Sequence, residues 1–344
     1  MLIYINLNII KKQELNKFSK IPDRPETSIP LYSILYFKLT GGSNMLYKIA
    51  PLFVAASLVA ESSMFHESLY EGWGQSLGIS EEIVRHKSES QDLVLFQNPI
   101  FGRVLALDGV IQLTESDEAI YHEMMVHVPL LSHDNPKSIL VIGGGDGGAI
   151  REVAKHPQVE KIVLVDIDQS VIDFSQQHLP KLSDKAFKDP RLTIVIADGS
   201  KFVAESKETF DVIICDSTDP IGPGQVLFTS EFYGNCKRLL TKNGIFVNQN
   251  GVPFLQKEEL IQTYQNRKPH FKNVEYYMAT IPTYVGGPMA FGWASDKKYR
   301  ISESMLQERL EKLKTKRLFY YTPAMHKAAF VLPNYVLKIL ENKE

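Results

Sequence analysis

The chain has 344 residues, 44% of them hydrophobic, enough for a sizeable core in one large domain or two smaller ones. Its 38 basic and 40 acidic residues leave a net charge of −2, so nothing draws it globally to nucleic acid or to an anionic membrane, and neither is an expected partner. Two cysteines, Cys215 and Cys236, exclude a disulfide framework and point to a reduced, cytoplasmic setting, and without a Cys/His cluster no metal is expected.

Residues 1–44 mix Ile, Asn and Lys with no sustained period. Residues 49–60, IAPLFVAASLVA, form an apolar run shorter than the roughly 20 residues a membrane-spanning helix takes. The run suits the core of an export signal starting near Met45, or a reading frame opened too early, with the working protein beginning near Met64. Residues 1–64 are therefore read as a dispensable N-terminal extension.

Beyond Met64 the texture changes. Short strands are expected at 92–97, 102–107 and 110–114, with Asn98-Pro99 and Asp108-Gly109 between them, the latter a hairpin signal. Thr114 followed by Asp117 resembles a capping box opening a helix, TESDEAIYHEMMVHVPLL. Residues 65–125 thus read as a small antiparallel β domain plus a linking helix.

From 138 onward strands and helices alternate. Strands are expected at 139–142, 161–166, 192–196, 211–215 and 244–248, and helices at 149–155, 169–178, 200–207 and 230–240. VEYYMATIP and MAFGWAS read as a terminal strand pair, followed by amphipathic helices. Apolar strands alternating with helices imply an α/β fold with a mostly parallel sheet over 126–344.

The first of these strands runs into SILVIGGGDGG, where Gly143, Gly145 and Gly148 satisfy G-x-G-x-x-G. That spacing alone suggests a dinucleotide. Asp146 inside the loop opposes it, since two like charges about 4 Å apart repel by about 4 kcal/mol at an effective dielectric near 20. The other strand ends also carry acids: Asp166, then Asp198-Gly199, then Asp216-Ser217-Thr218-Asp219, with Gln249 after the fifth. Each has a local explanation, because acids after strands cap helices and serve in turns. Together, with no arginine or lysine beside them in the sequence, they call for a cation, and an organic one fits better than calcium-type spacing.

GGGDGG, DID, ADGS, DSTDPIGP and IPTY, with GRVLALDGVIQ and YHEMM ahead of them, resemble the polyamine aminopropyltransferases over about residues 65–335, most closely the spermidine synthases. The resemblance implies a class I methyltransferase-like, Rossmann-like fold behind a small antiparallel β domain. It also implies aminopropyl transfer from decarboxylated S-adenosylmethionine, a co-substrate, to putrescine, with no prosthetic group.

By that resemblance Asp216 is the proton acceptor. Asp166, here in place of a more frequent Glu, takes the ribose hydroxyls. Gln91, Gly143, Gly145, Asp146, Asp198, Gly199 and Pro223 belong to the donor site. Tyr121, His122, Asp146, Ser217, Thr218, Asp219, Gln249 and Tyr284 join Asp216 at the polyamine. A homodimer or homotetramer is implied, and the Gly- and Pro-rich segment 217–229 is expected to close over the acceptor. Three rival readings are an NAD-dependent oxidoreductase, a diamine N-methyltransferase using S-adenosylmethionine, and a non-catalytic polyamine-binding protein.

Overall fold

The N-terminal part folds into the three expected strands and three more ahead of them. The structure, a computed structural model, describes residues 63–87, 92–220, 222–315 and 318–341. All but the last two residues of the expected extension lie outside these, as does Gln91. Met64–His66 (β1) and Ser76–Gly78 (β2) pair antiparallel, and Glu81–Lys87 (β3), Asp92–Asn98 (β4), Gly102–Leu107 (β5) and Val110–Thr114 (β6) form a four-stranded antiparallel sheet. β1 begins at Met64, so pairing starts at the last residue of the expected extension.

β1 and β2 are three residues long, too short for a period to show, and EEIVRHK in β3 has its two apolar residues side by side at an irregularity in the pairing. The Asp108-Gly109 turn is as expected, with φ of 50° and 79° at the two positions. One sheet face, with Val94, Phe96 and Val104, packs on Phe65 and Leu77. The other, with Leu93, Leu95, Leu105 and Leu113, packs on Leu179 and Leu182 of the following domain.

Glu118–Ser132 (α1) is buried almost all round and runs through residue 125 without a break. Thr114 and Asp117 form half of the expected capping box: the Asp117 amide donates to Thr114 Oγ1 (3.3 Å), but the Asp117 carboxylate does not reach back to a helix-start amide. The Thr114 hydroxyl donates to Asp117 Oδ1 (2.6 Å), while Asp117 Oδ2 accepts from the Thr283 amide (2.9 Å) and hydroxyl (2.7 Å), so the carboxylate ties a distant loop down instead of capping the helix.

The large sheet holds Ser138–Gly143 (β7), Lys161–Asp166 (β8), Leu192–Ile196 (β9), Phe210–Asp216 (β10), Leu240–Gln249 (β11), Asn273–Ala279 (β12) and Met289–Ser295 (β13). Its order is β9-β8-β7-β10-β11-β13-β12, with only β13 antiparallel to its neighbours, the class I methyltransferase-like arrangement. Both faces are covered: Ile139 and Val141 join the core under α1 and Gly148–Ala154 (α2), and Leu140 and Ile142 join the core under Gly199–Glu205 (α5) and Ser230–Leu239 (α6).

Gln169–His178 (α3) and Pro180–Ser183 (α4) follow β8, and Lys257–Arg267 (α7) follows β11. The sequence does not announce α7, because the residues it buries are Leu260, Thr263 and Arg267, one apolar among two polar. Glu303–Leu310 (α8), Pro323–Ala329 (α9) and Asn334–Leu340 (α10) close the fold. Among the described residues no helix is long and apolar enough to cross a membrane, and Cys215 and Cys236 are buried free thiols.

Candidate active site

The chain leaves β7 for β8 on one side of the sheet and later returns to β10 on the other. The loops beyond the carboxyl ends of these strands therefore diverge and open a crevice. Gly143 at the end of β7 sits opposite Asp216 at the end of β10, with φ of 74°, and a Cβ there would lie 2.1 Å from the Asp216 carbonyl oxygen. Only glycine lets the two strand ends meet this closely.

Gly148 carries a second constraint. A Cβ on it would lie 2.3 Å from the imidazole of His122, so α1 and α2 approach with a histidine ring seated on the helix start. His122 is almost wholly buried, and both ring nitrogens face carboxylates: Nδ1 is 2.6 Å from Glu118 Oε2, and Nε2 is 3.5 Å from Asp146 Oδ1 and 4.0 Å from Asp216 Oδ2. Burial by itself would keep the ring neutral. The charges and hydrogen bonds of Asp146 and Glu118 outweigh it and raise the His122 pKa well above its ordinary value.

Glu118 is held in turn by Arg151 of α2, through Nη1 to Oε1 (2.7 Å) and Nη2 to Oε2 (2.9 Å). The expectation that no protein cation neutralises the acids is thus corrected. His122 and Arg151 do so from other elements, where sequence adjacency could not show them.

The two acids nearest His122 differ. Burial raises the pKa of Asp146, but the His122 charge and hydrogen bond, the Gly148 amide (2.6 Å to Oδ1) and Arg151 bring it below the ordinary carboxylate value. For Asp216, burial and the neighbouring Asp146 prevail over His122 and Tyr121 and push its pKa up to about 6. Tyr121 donates to Asp216 Oδ1 (2.6 Å), while Oδ2 is buried with no partner among the described residues. His122, Asp146 and Asp216 each offer an atom within 4.8 Å of the others, a metal-sized triangle, although an imidazolium lacks the lone pair a metal requires.

Tyr284 stands edge-on to Tyr121, ring centroids 6.1 Å apart, and its hydroxyl donates to the Gln112 carbonyl. It is set there by the loop that Asp117 holds through Thr283. At the other end of this group Asp219 accepts from Gln249 Nε2 (3.3 Å) and Gln256 Nε2 (3.0 Å). Gln256 also donates to Glu259 (3.1 Å) and accepts from the Tyr70 hydroxyl (3.0 Å). Burial, with Asp219 nearby, pushes Glu259 up to about 8, and burial also raises Asp219 and Glu67. Ser217 is half-buried and Thr218 exposed.

On the other flank of the glycine loop, Asp166 at the end of β8 accepts from the Asp168 amide (2.9 Å), and a Cβ on Gly145 would lie 2.7 Å from its Oδ2. Asp198 caps α5, all its bonds falling on Oδ1: from the Ser200 amide (2.8 Å) and hydroxyl (2.7 Å) and the Lys201 amide (3.4 Å). Gly199 opens that helix where a Cβ would meet Ile142 at 2.5 Å. Pro223 falls in the 3₁₀ turn Gly222–Phe228.

One end of the sheet thus gathers Tyr121, His122, Gly143, Gly145, Asp146, Asp166, Asp198, Gly199, Asp216, Asp219, Gln249 and Tyr284. Sequence reading missed Glu118, Arg151, Tyr70, Gln256 and Glu259. The Glu118/His122 spacing of four on one helix was the available signal for the first. Nothing local marks Gln256 or Glu259, which come from the unannounced α7 and the turn before it.

The sequence model of the Spermine/spermidine synthase domain matches residues 118–304, and that of the Spermidine synthase tetramerisation domain matches residues 64–115. The chain is 50% identical over 280 residues to the polyamine aminopropyltransferases of Klebsiella pneumoniae (strain 342) and Salmonella paratyphi A, covering 81% of this chain and 98% of each relative. Among solved structures, a spermidine synthase in complex with the transition state analogue AdoDATO matches with a TM-score of 0.76 and 38% identity, over 82% of this chain and 96% of that one. Spermidine synthase from Thermotoga maritima matches with a TM-score of 0.74 and 36% identity, over 82% and 95%.

Proposed function

The chain belongs to the spermine/spermidine synthase family and is an aminopropyltransferase, and from that premise we propose that it moves the aminopropyl group of decarboxylated S-adenosylmethionine to putrescine, with Asp216 as proton acceptor. The observation that carries this reading is Asp216 itself. It is a carboxylate with side-chain exposure of 9%, bonded by Tyr121 on one oxygen and unpartnered on the other. A buried acceptor atom without a donor is costly, and an ammonium or amine N–H is the donor that fits.

Putrescine amines titrate near lysine's roughly 10.4, so the attacking nitrogen arrives protonated and must lose a proton. One proton passes from that nitrogen to Asp216. The freed lone pair forms the new C–N bond, the C–S bond breaks, and its electrons return to sulfur, leaving methylthioadenosine. The nitrogen keeps its other two protons as the secondary ammonium of the product, and the proton held by Asp216 passes to solvent.

Asp219, with Gln249, the half-buried Ser217 and the exposed Thr218, is proposed to hold the acceptor, and the faces of Tyr121 and Tyr284 to stack on its cations, each contact worth about 0.5–2 kcal/mol. His122 stays in this group, acting from behind Asp146 and Asp216. Asp146, ionised and using only Oδ1 internally, supports a donor that carries an amine and no carboxylate, which disfavours both the N-methyltransferase and the dinucleotide readings. Gly143 and Gly145 bring backbone up to the nucleoside, Asp166 is proposed for the ribose and Asp198, through Oδ2, with Gly199 for the adenine edge. Gln91 and Pro223 complete the donor site in this proposal, and 217–229 remains its proposed lid.

Mass spectrometry of products from decarboxylated S-adenosylmethionine and a panel of diamines tests the reading. Spermidine and methylthioadenosine are expected, with Asp216→Asn lowering kcat by about 10²–10⁴-fold. Methylated putrescine from S-adenosylmethionine, or an Asp216→Asn variant as fast as the unmutated protein, overturns it.

A further inference from the structure

Behind the carboxylates that face the crevice lies a second, largely buried row of charges. Arg151 forks onto both oxygens of Glu118, Glu118 accepts from His122 Nδ1, and His122 Nε2 lies between Asp146 and Asp216. Side-chain exposure falls along the row, from 13% for Arg151 to 9% for Glu118 and 3% for His122, so water screens it little. The remaining groups of Arg151 are committed too: Nε donates to Glu152 (2.7 Å) and Nη1 to the Leu182 carbonyl (2.6 Å). α1 contributes Glu118, Tyr121 and His122, α2 contributes Arg151, the glycine loop Asp146, and β8 and β10 contribute Asp166 and Asp216.

We propose that Glu118 and Arg151 are positioning residues, which keep His122 an imidazolium with its Nε2–H directed at the gap between Asp146 and Asp216, so that Asp146 stays ionised and Asp216 alone takes up and releases the proton of the transfer. The inference rests on the reading of Asp216 as proton acceptor.

Its physical content is the division of labour between two acids that share one cleft. Two neighbouring carboxylates without a cation would hold one proton between them, and either could carry it. His122 Nε2 is nearer to Asp146 (3.5 Å) than to Asp216 (4.0 Å), and the Gly148 amide adds a second donor to Asp146 only. The proton therefore goes to Asp216, which has the unpartnered oxygen. Asp146 first and Glu118 second hold His122 as a cation against burial, and of the two only Glu118 stands outside the pair of acids that the ring separates. Arg151 keeps Glu118 ionised and turned toward His122.

The direct test is an NMR titration of the His122 ring in the full chain. The ring should stay protonated through the neutral range, and a ring that titrates near its usual value, about 6.5, overturns the proposal. The second test is Glu118→Gln, close in shape and without the charge.

Weakening the imidazolium weakens a charge that lowers the Asp216 pKa, so the acid limb of kcat/KM should move up, by as much as about 1–3 pH units, with activity recovering at higher pH. Glu118→Asp should restore part of the shift. A uniform loss of activity at every pH, with the limb unmoved, means that Glu118 only supports the fold and overturns the proposal. The two readings fail separately: an active Asp216→Asn variant removes the proton acceptor itself, whereas a neutral His122 in an enzyme that still depends on Asp216 removes only the positioning row.

Discussion

With Asp216 as the proposed proton acceptor, its surroundings set the expected pH dependence of the reaction. Burial and the adjacent Asp146 push its pKa up to about 6. A base works in its ionised form, so kcat/KM should fall as pH drops below about 6 and level off above it. Rate measurements from about pH 5 to about pH 8 check this, and a profile with no acid limb near 6 would mean that another group accepts the proton. The same residue shows what the neighbouring glycines are for. A side chain on Gly143 would push the Asp216 backbone away, and one on Gly148 would displace His122, so each glycine protects the position of a specific group.

At the scale of elements, the site depends on how the small β domain, α1 and the β12–β13 loop are tied together. Asp117 does this tying. It is 3% exposed and takes three hydrogen bonds, one from Thr114 at the end of β6 and two from Thr283 in the loop that carries Tyr284. Asp117→Ala leaves those donors buried and unpaired, which costs about 1–3 kcal/mol. The melting temperature should drop, and KM for the acceptor should rise more than KM for the donor, because Tyr284 is proposed for the acceptor end. Thermal denaturation and steady-state kinetics with each substrate varied measure both, and equal rises in the two KM values would detach this loop from the acceptor end.

At the scale of the whole molecule, Ser62–Glu344 forms one compact unit, and the matched family segments run from 64 to 304. We propose that residues 1–61 are dispensable and that the β domain at 64–115, matched by a tetramerisation domain, assembles the chain into a dimer or tetramer. A chain starting at Ser62 should keep kcat and the oligomeric mass of the full chain. Light scattering and activity assays check it, and a monomeric or inactive product refutes it. A cytoplasmic setting is part of the same proposal.

The sequence by itself determined the architecture and most of the crevice. Apolar strands alternating with helices are visible locally, because each strand must bury both faces, and ligands in such sheets gather at the strand ends, so Asp146, Asp166, Asp198, Asp216 and Asp219 could be read off in order. Only the tertiary structure decided what these acids do for the protein itself. Asp198 turned out to cap α5 with one oxygen, Asp117 to hold a loop 166 residues away, and His122 to sit between Glu118 and the acids it was expected to stand beside. Arg151 and Glu118 meet across 33 positions, and Gln256 reaches Asp219 across 37. The physical reason is that protonation and charge compensation are set by distance and burial, which follow from packing between elements, whereas strand and helix formation follows from the order of residues within each one.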